Sequence, residues 1–257
     1  MRASGDSIAG ADKPAPIRDD ARRSVRLFRS FLTEQTDPQG FYTLIADDAV
    51  GLLRPHVDLS GALVADFGGG PGFYSDAFRR AGARTVLIDA DLDEIQLHGR
   101  RPPGAVVGRA EQAPLADGSV DLAFSSNLLE HVRDMGGTAD QIVRVVRPGG
   151  LVVLSYTIWL GPWGGHETSP WHYLGGHRAA RRYAAKHGRS PKNVFGESMF
   201  AASVGDGLRW LDSRPDLEVL DVRPRYLPPA SRLLLRVPGL RELATWNLWM
   251  VLRKPLS

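Results

Sequence analysis

The chain has 257 residues, 43% hydrophobic and 24% charged, the balance of a globular protein with room for one large α/β domain. It contains no cysteine, which excludes disulfides, thiolate metal sites, iron–sulfur clusters and thiol nucleophiles. Net charge is +3 at a sequence pI of about 9.4, and the basic residues are scattered rather than gathered on one face, which argues against a nucleic-acid partner.

Residues 1–18 read as a disordered tail, polar, with Pro14 and Pro16 and without the apolar stretch of a targeting signal. No apolar run approaches the ~20 residues that span a bilayer, and a cytoplasmic location is expected. From Asp19 the pattern is helical, with Val25, Leu27, Phe28, Phe31 and Leu32 recurring at helical spacing. A break at Thr36–Gly40 leads into a second helix from Phe41 to about Leu53. Strands then follow at GALVADF, ARTVLIDA, GAVVGRA, VDLAFSS and LVVLSYT. Helices alternate with them at FYSDAFRRAG, at LDEIQLHGR, and from NLLEHV through to Val146. This alternation predicts a parallel sheet built of βαβ units.

After Thr157 the texture changes to a segment rich in Trp, His and Gly. A helix near Ser198–Ser213, the strand LEVLDVRP, a helical insert over 228–244 and a last strand, TWNLWMVLR, complete the chain. The expected fold is α/β: a doubly wound, Rossmann-like, seven-stranded sheet, mostly parallel with an antiparallel last strand, plus N-terminal helices and a helical lid insert. Residues 19–257 form one domain. Within it, 19–58 are cap helices, 59–157 the cofactor-binding core, 158–197 a substrate or lid insert, and 198–257 the rest of the sheet.

The first strand runs directly into Gly68-Gly69-Gly70-Pro71-Gly72. A loop there must turn into a helix and let a ligand approach its backbone, and glycine permits both. The dinucleotide pattern G-x-G-x-x-G fails in either register, because its third glycine falls on Phe73 or Ser75. What fits is acid-x-G-x-G-x-G, carried by Asp66, Gly68, Gly70 and Gly72.

With VADFGGGPG, TVLIDAD, GRAEQAPLADGSVDLAFSSNLLEHV and VVRPGGLVVLSY in that order, the chain resembles the class I S-adenosylmethionine-dependent methyltransferases of the type 11 small-molecule group, in an actinobacterial-type subgroup. The resemblance implies S-adenosyl-L-methionine as cofactor, with Asp66 and the glycines at its methionine end and Asp89 on the ribose hydroxyls. Arg109 stands where such proteins often have an acid for adenine, so the resemblance leaves adenine to the Ala110 backbone and Glu111. Asn127 is read either as a cofactor or substrate contact or as a helix N-cap. Tyr42 is read either as a lid on the methionine end or as a packing staple with Phe41. SNLL lacks the prolines of the DNA amino-methyltransferases.

The implied activity is methyl transfer to a small molecule, at a hydroxyl. A hydroxyl must lose a proton, and His166, with Glu167 as orienting partner or alternative base, is the expected base, drawn from the group His166, His172, His177 and His187. Surface packing is the other reading of these histidines. The spacing H-E-x4-H-x4-H matches no established ligand pattern, and no metal is expected. Trp159, Trp163 and Trp171 are either an aromatic wall for the acceptor or core packing. SRLLLRVPGLREL is a lid, a homodimer contact or a membrane-surface patch. Two rivals stand: a nicotinamide oxidoreductase on the same sheet, and a non-catalytic protein that binds the same cofactor.

Overall fold

Helix α1 (Ala21–Phe31) starts at Asp20, whose carboxylate accepts from Arg23 N. Helix α2 (Pro38–Leu53) starts at Asp37, with Pro38 where a missing N–H costs nothing. The structure is a computed structural model that describes residues 19–256 other than Gln35, His98 and Arg100, so the tail expected over 1–18 lies outside the described residues.

The alternating part of the chain folds as β1 (Leu63–Phe67), α3 (Phe73–Arg80), β2 (Arg84–Asp89), α4 (Leu92–Ile95), β3 (Ala105–Val107), β4 (Val120–Ser126), α5 (Met135–Val145) and β5 (Val146–Thr157). Helices α6 (Gly176–His187) and α7 (Val204–Asp212), strand β6 (Glu218–Pro224), helix α8 (Leu240–Ala244) and strand β7 (Asn247–Arg253) follow. The strands form one seven-stranded sheet in the order β3-β2-β1-β4-β5-β7-β6. β1 to β5 pair in parallel. β7 inserts antiparallel to both neighbours, with Thr157 opposite Asn247 and Pro224 opposite Leu248. The strand order reverses between β1 and β4, so the crevice at their carboxyl ends is where a ligand binds in such a sheet.

Successive side chains of each strand point to opposite faces, which explains two cores. Val64, Phe124, Val153 and Trp249 pack with α2 and α3 on one side; Ala65, Phe67, Ala123, Val152 and Leu154 pack with α5 on the other. Burial on both faces is why these strands read as apolar runs rather than alternating patterns.

Three expected helices are shorter. The one after β4 is interrupted: a single 3-10 turn, Leu129–His131, precedes a fresh start at Asp134, whose Oδ1 accepts from Gly137 N at 2.9 Å. A second N-cap inside the run competes with helix continuation. The helix expected over 92–100 ends at Ile95. The one expected from Ser198 begins at Val204, behind a capping box of Ser203 and Asp206. The insert at 228–244 is a 3-10 turn, Pro229–Arg236, followed by α8, with Leu233, Leu240 and Leu243 exposed. Among the described residues no helix is long and apolar enough to cross a membrane.

Candidate functional site

The glycine loop leaves β1 at the switch point, anchored by Gly68 N donating to Ile88 O at 2.8 Å. Gly70 and Gly72 have φ of +46° and +90°, the left-handed region that favours glycine. At Gly72 a Cβ would also sit 2.9 Å from Pro102, whereas at Gly70 its nearest neighbour would be Asp89 Oδ2 at 4.0 Å. Beside Gly70, therefore, the backbone borders open space that only a side chain would fill.

Asp66 lies beneath this loop, 1% exposed, its Oδ2 accepting from Ser75 Oγ at 2.7 Å. It ties the end of β1 to the first turn of α3. Burial pushes its carboxyl up to about 6, against the Ser75 hydrogen bonds. Between the unfolded value of 3.8 and about 6 the native state holds a proton that the unfolded chain releases, so stability falls as pH rises through that window. The difference is about 3 kcal/mol. Asp66→Asn is expected to abolish this loss, which urea denaturation at pH 4 and pH 7 measures; equal pH slopes in variant and parent would refute the assignment.

Asp89 ends β2 facing the same loop. Its Oδ2 accepts from Gly70 N and its Oδ1 from Asp91 N, each at 2.9 Å. Each oxygen keeps a further lone pair for a hydroxyl donor, and burial raises its pKa. An acceptor pair beside an open glycine cradle is what an amino-acid-bearing nucleoside needs, so the residues fit that cofactor. Where the resemblance expects adenine, Ala110 is buried at the start of a 3-10 turn, and Glu111 Oε1 is bound by the exposed Arg109 at 2.9 Å. Tyr42 stacks on Phe73, the first residue after the loop, with ring centroids 5.3 Å apart. The Tyr42 hydroxyl donates to Glu34 Oε1 at 3.0 Å, which fixes the ring over that end of the loop.

Asn127 is not a helix N-cap. Its φ is +55°, uncommon for a residue with a side chain. Its Oδ1 accepts from Asn247 Nδ2 at 2.8 Å, tying the ends of β4 and β7 together at the mouth. Arg225, fully buried just past β6, donates to Ser126 Oγ at 2.8 Å and to the Tyr74 hydroxyl at 3.1 Å. Nothing in the sequence distinguishes Arg225 from the many surface arginines.

His166 and Glu167 part company. The exposed Glu167 carboxylate accepts from Asn193 Nδ2 at 3.2 Å, so it does not orient His166, which corrects the expected pairing. The carboxylate beside His166 is Glu130, with His131 next to it: one ligand-capable atom from each of Glu130, His131 and His166 lies within 4.8 Å of the others. Burial pushes His166 down to about 4, against the nearby Glu130 charge, so the ring is neutral at pH 7. Its φ of +47° is the other non-glycine left-handed backbone among the described residues. Glu130 and His131, an acid and an imidazole four and five residues past β4, read as structural in the sequence, and the fold sets them beside His166.

The tryptophans divide. Trp163 packs on Phe31 at 5.4 Å and on Trp246 at 4.5 Å, joining the insert to α1 and to the start of β7 across the mouth. Trp159 packs on Phe195 at 4.6 Å, and exposed Trp171 lies under the Arg182 guanidinium at 3.8 Å, both inside the insert.

A family model described as a methyltransferase domain matches residues 65–154, the span from β1 to β5 that carries the loop, Asp89 and Glu130. A protein of Mycolicibacterium gilvum named only as a methyltransferase is 45% identical over 241 residues, 90% of this chain and 94% of that one. One of Mycobacterium bovis, named likewise, is 44% identical over 247 residues, 91% and 96% of the two chains. In fold, the crystal structure of an S-adenosylmethionine-dependent methyltransferase from Mesorhizobium loti is similar, with a TM-score of 0.54 at 19% identity over 80% of this chain and 98% of that one. These likenesses and the glycine register set aside the nicotinamide reading. With the sheet order, the acid-and-glycine loop and Asp89 facing that loop in place, the chain belongs to the S-adenosylmethionine-dependent methyltransferases.

Proposed function

We propose that the methyl acceptor is a hydroxyl of a small molecule, and that its proton leaves at the trio of Glu130, His131 and His166. The trio carries this reading. It stands at the carboxyl end of the sheet, where Glu130 Oε1 accepts from Thr157 N, at the end of β5, at 3.0 Å. A neutral imidazole beside a carboxylate offers lone pairs to a hydroxyl proton. When bound, the cofactor would supply a methyl already activated on a sulfonium, exchanging its carbon–sulfur bond for an oxygen–carbon bond with a neutral thioether as leaving group. The protein's own work is to align the acceptor oxygen and remove its proton; alignment alone is worth roughly 7–11 kcal/mol. The bridge of Phe31, Trp163 and Trp246 over the mouth favours a small acceptor over a polymer.

The test supplies methyl-labelled S-adenosylmethionine with cell fractions of small molecules, RNA and protein. Label is expected in the low-mass fraction, with nuclear magnetic resonance placing the methyl on oxygen; label in a polymer, or on nitrogen, overturns the reading. His166→Ala is expected to lower kcat by roughly 10²–10⁴-fold while leaving cofactor affinity unchanged, and full activity would remove the trio from the chemistry.

A further inference from the structure

Two polar atoms at the mouth have no partner in a setting where buried polar groups are nearly always paired. Glu130 is 2% exposed, and while its Oε1 holds Thr157 N, its Oε2 is bonded to nothing; His166 Nε2 is buried and equally unbonded. These two groups would satisfy each other in an ordinary hydrogen bond, and they do not make one. The third member is set differently. His131 Nδ1 lies 2.7 Å from Ser198 O, and a carbonyl only accepts, so Nδ1 carries the proton and Nε2 the lone pair. The His131 and His166 rings meet edge to face with centroids 5.2 Å apart.

The geometry points to a divalent transition-metal site formed by Glu130, His131 and His166. Two imidazoles and one carboxylate are the donors of zinc and its first-row neighbours rather than of calcium or magnesium. Ligand atoms around tetrahedral zinc stand about 3.3 Å apart, given ~2.0–2.1 Å bonds. The trio's atoms lie within 4.8 Å of one another, so side-chain rotation of about 1.5 Å or less closes the set. The supporting bonds are already made: Ser198 O orients His131 and Thr157 N orients Glu130, as outer partners orient ligands in metal centres. Both histidines are half-buried, at the edge of the insert rather than in the core. Three protein ligands leave a position free.

That free position faces the acceptor, and this part of the inference rests on the proposed hydroxyl transfer. A hydroxyl bound to such an ion would lose its proton to solvent water more readily, in the way that zinc lowers the pKa of water, and with the ion bound His166 serves as ligand rather than as base. Of the spaced histidines noted in the sequence only His166 takes part; His172 is buried elsewhere, 5.2 Å from the Trp159 ring.

Full-length protein stripped with a chelator and dialysed is titrated with Co2+, whose visible d–d bands report coordination. One equivalent is expected to give the intense bands of a four- or five-coordinate site, Zn2+ to displace them, and Zn2+ to raise Tm. His166→Ala and Glu130→Gln are each expected to weaken binding by roughly 100-fold, while His172→Ala retains it. Circular dichroism establishes that each variant is folded. Absence of saturable bands in the parent protein, or binding by folded His166→Ala equal to the parent's, overturns the site. Because Co2+ absorbance needs no turnover, saturable binding in a protein that methylates no hydroxyl refutes the acceptor reading and upholds the metal site.

Discussion

Asp89→Ala is expected to weaken S-adenosylmethionine binding by roughly 10²–10⁴-fold. Each hydrogen bond to a charged carboxylate is worth about 1.5–3 kcal/mol, and two ribose hydroxyls lose their acceptor at once. The loop loses its tether as well, since Asp89 Oδ2 holds Gly70 N at 2.9 Å. Asp89→Asn, which keeps one acceptor oxygen and the side-chain shape, should fall between the two. Isothermal titration with S-adenosylhomocysteine measures the effect, and affinity unchanged in Asp89→Ala would take the ribose away from this residue.

The second large effect is on folding. Arg23 and Asp48, 3% and 1% exposed, are joined by two hydrogen bonds of 2.8 and 2.6 Å. Arg23 Nη2 also donates to Arg225 O at 3.0 Å, so the pair fastens α1 and α2 to the chain leaving β6. The Asp48 charge also acts on the buried Arg225 guanidinium. Asp48→Ala leaves two buried cations without their shared counter-charge, at a cost of about 3–5 kcal/mol, a large fraction of the ~5–15 kcal/mol that stabilises a domain. A lower urea midpoint and changed Trp163 fluorescence are expected, because α1 holds Phe31 against that ring. The double variant Arg23→Leu with Asp48→Leu should recover only part of the loss, since it removes the Arg23 charge while Arg225 stays buried without Asp48. A loss under ~1 kcal/mol in Asp48→Ala would mean that water reaches the pair.

The glycine loop and the acids beside it were legible because they are local. The glycines, Asp66 and Asp89 sit at strand ends whose apolar runs announce them, and their spacing follows from the length of one βαβ unit. The acceptor half was not. Glu167 follows His166 in sequence and was the natural partner, yet its carboxylate turns to Asn193, while Glu130, thirty-six positions earlier, stands beside the ring. The continuous helix expected after β4 left Glu130 and His131 reading as structural, because periodicity carries no sign of the cap at Asp134 or of the bond from Thr157 N.

Short-range spacing, and the residues that tolerate left-handed backbone, were enough to specify the layered sheet, the glycine turn and the acid that faces it. Which polar groups meet is a property of the folded chain: Arg23 with Asp48, Arg225 among Ser126 and Tyr74, and His166 with Glu130 and His131. Those meetings depend on where the insert and the last strands close over the mouth. The free energy of placing a charge depends on every group around it, and along a chain those groups have no fixed separation.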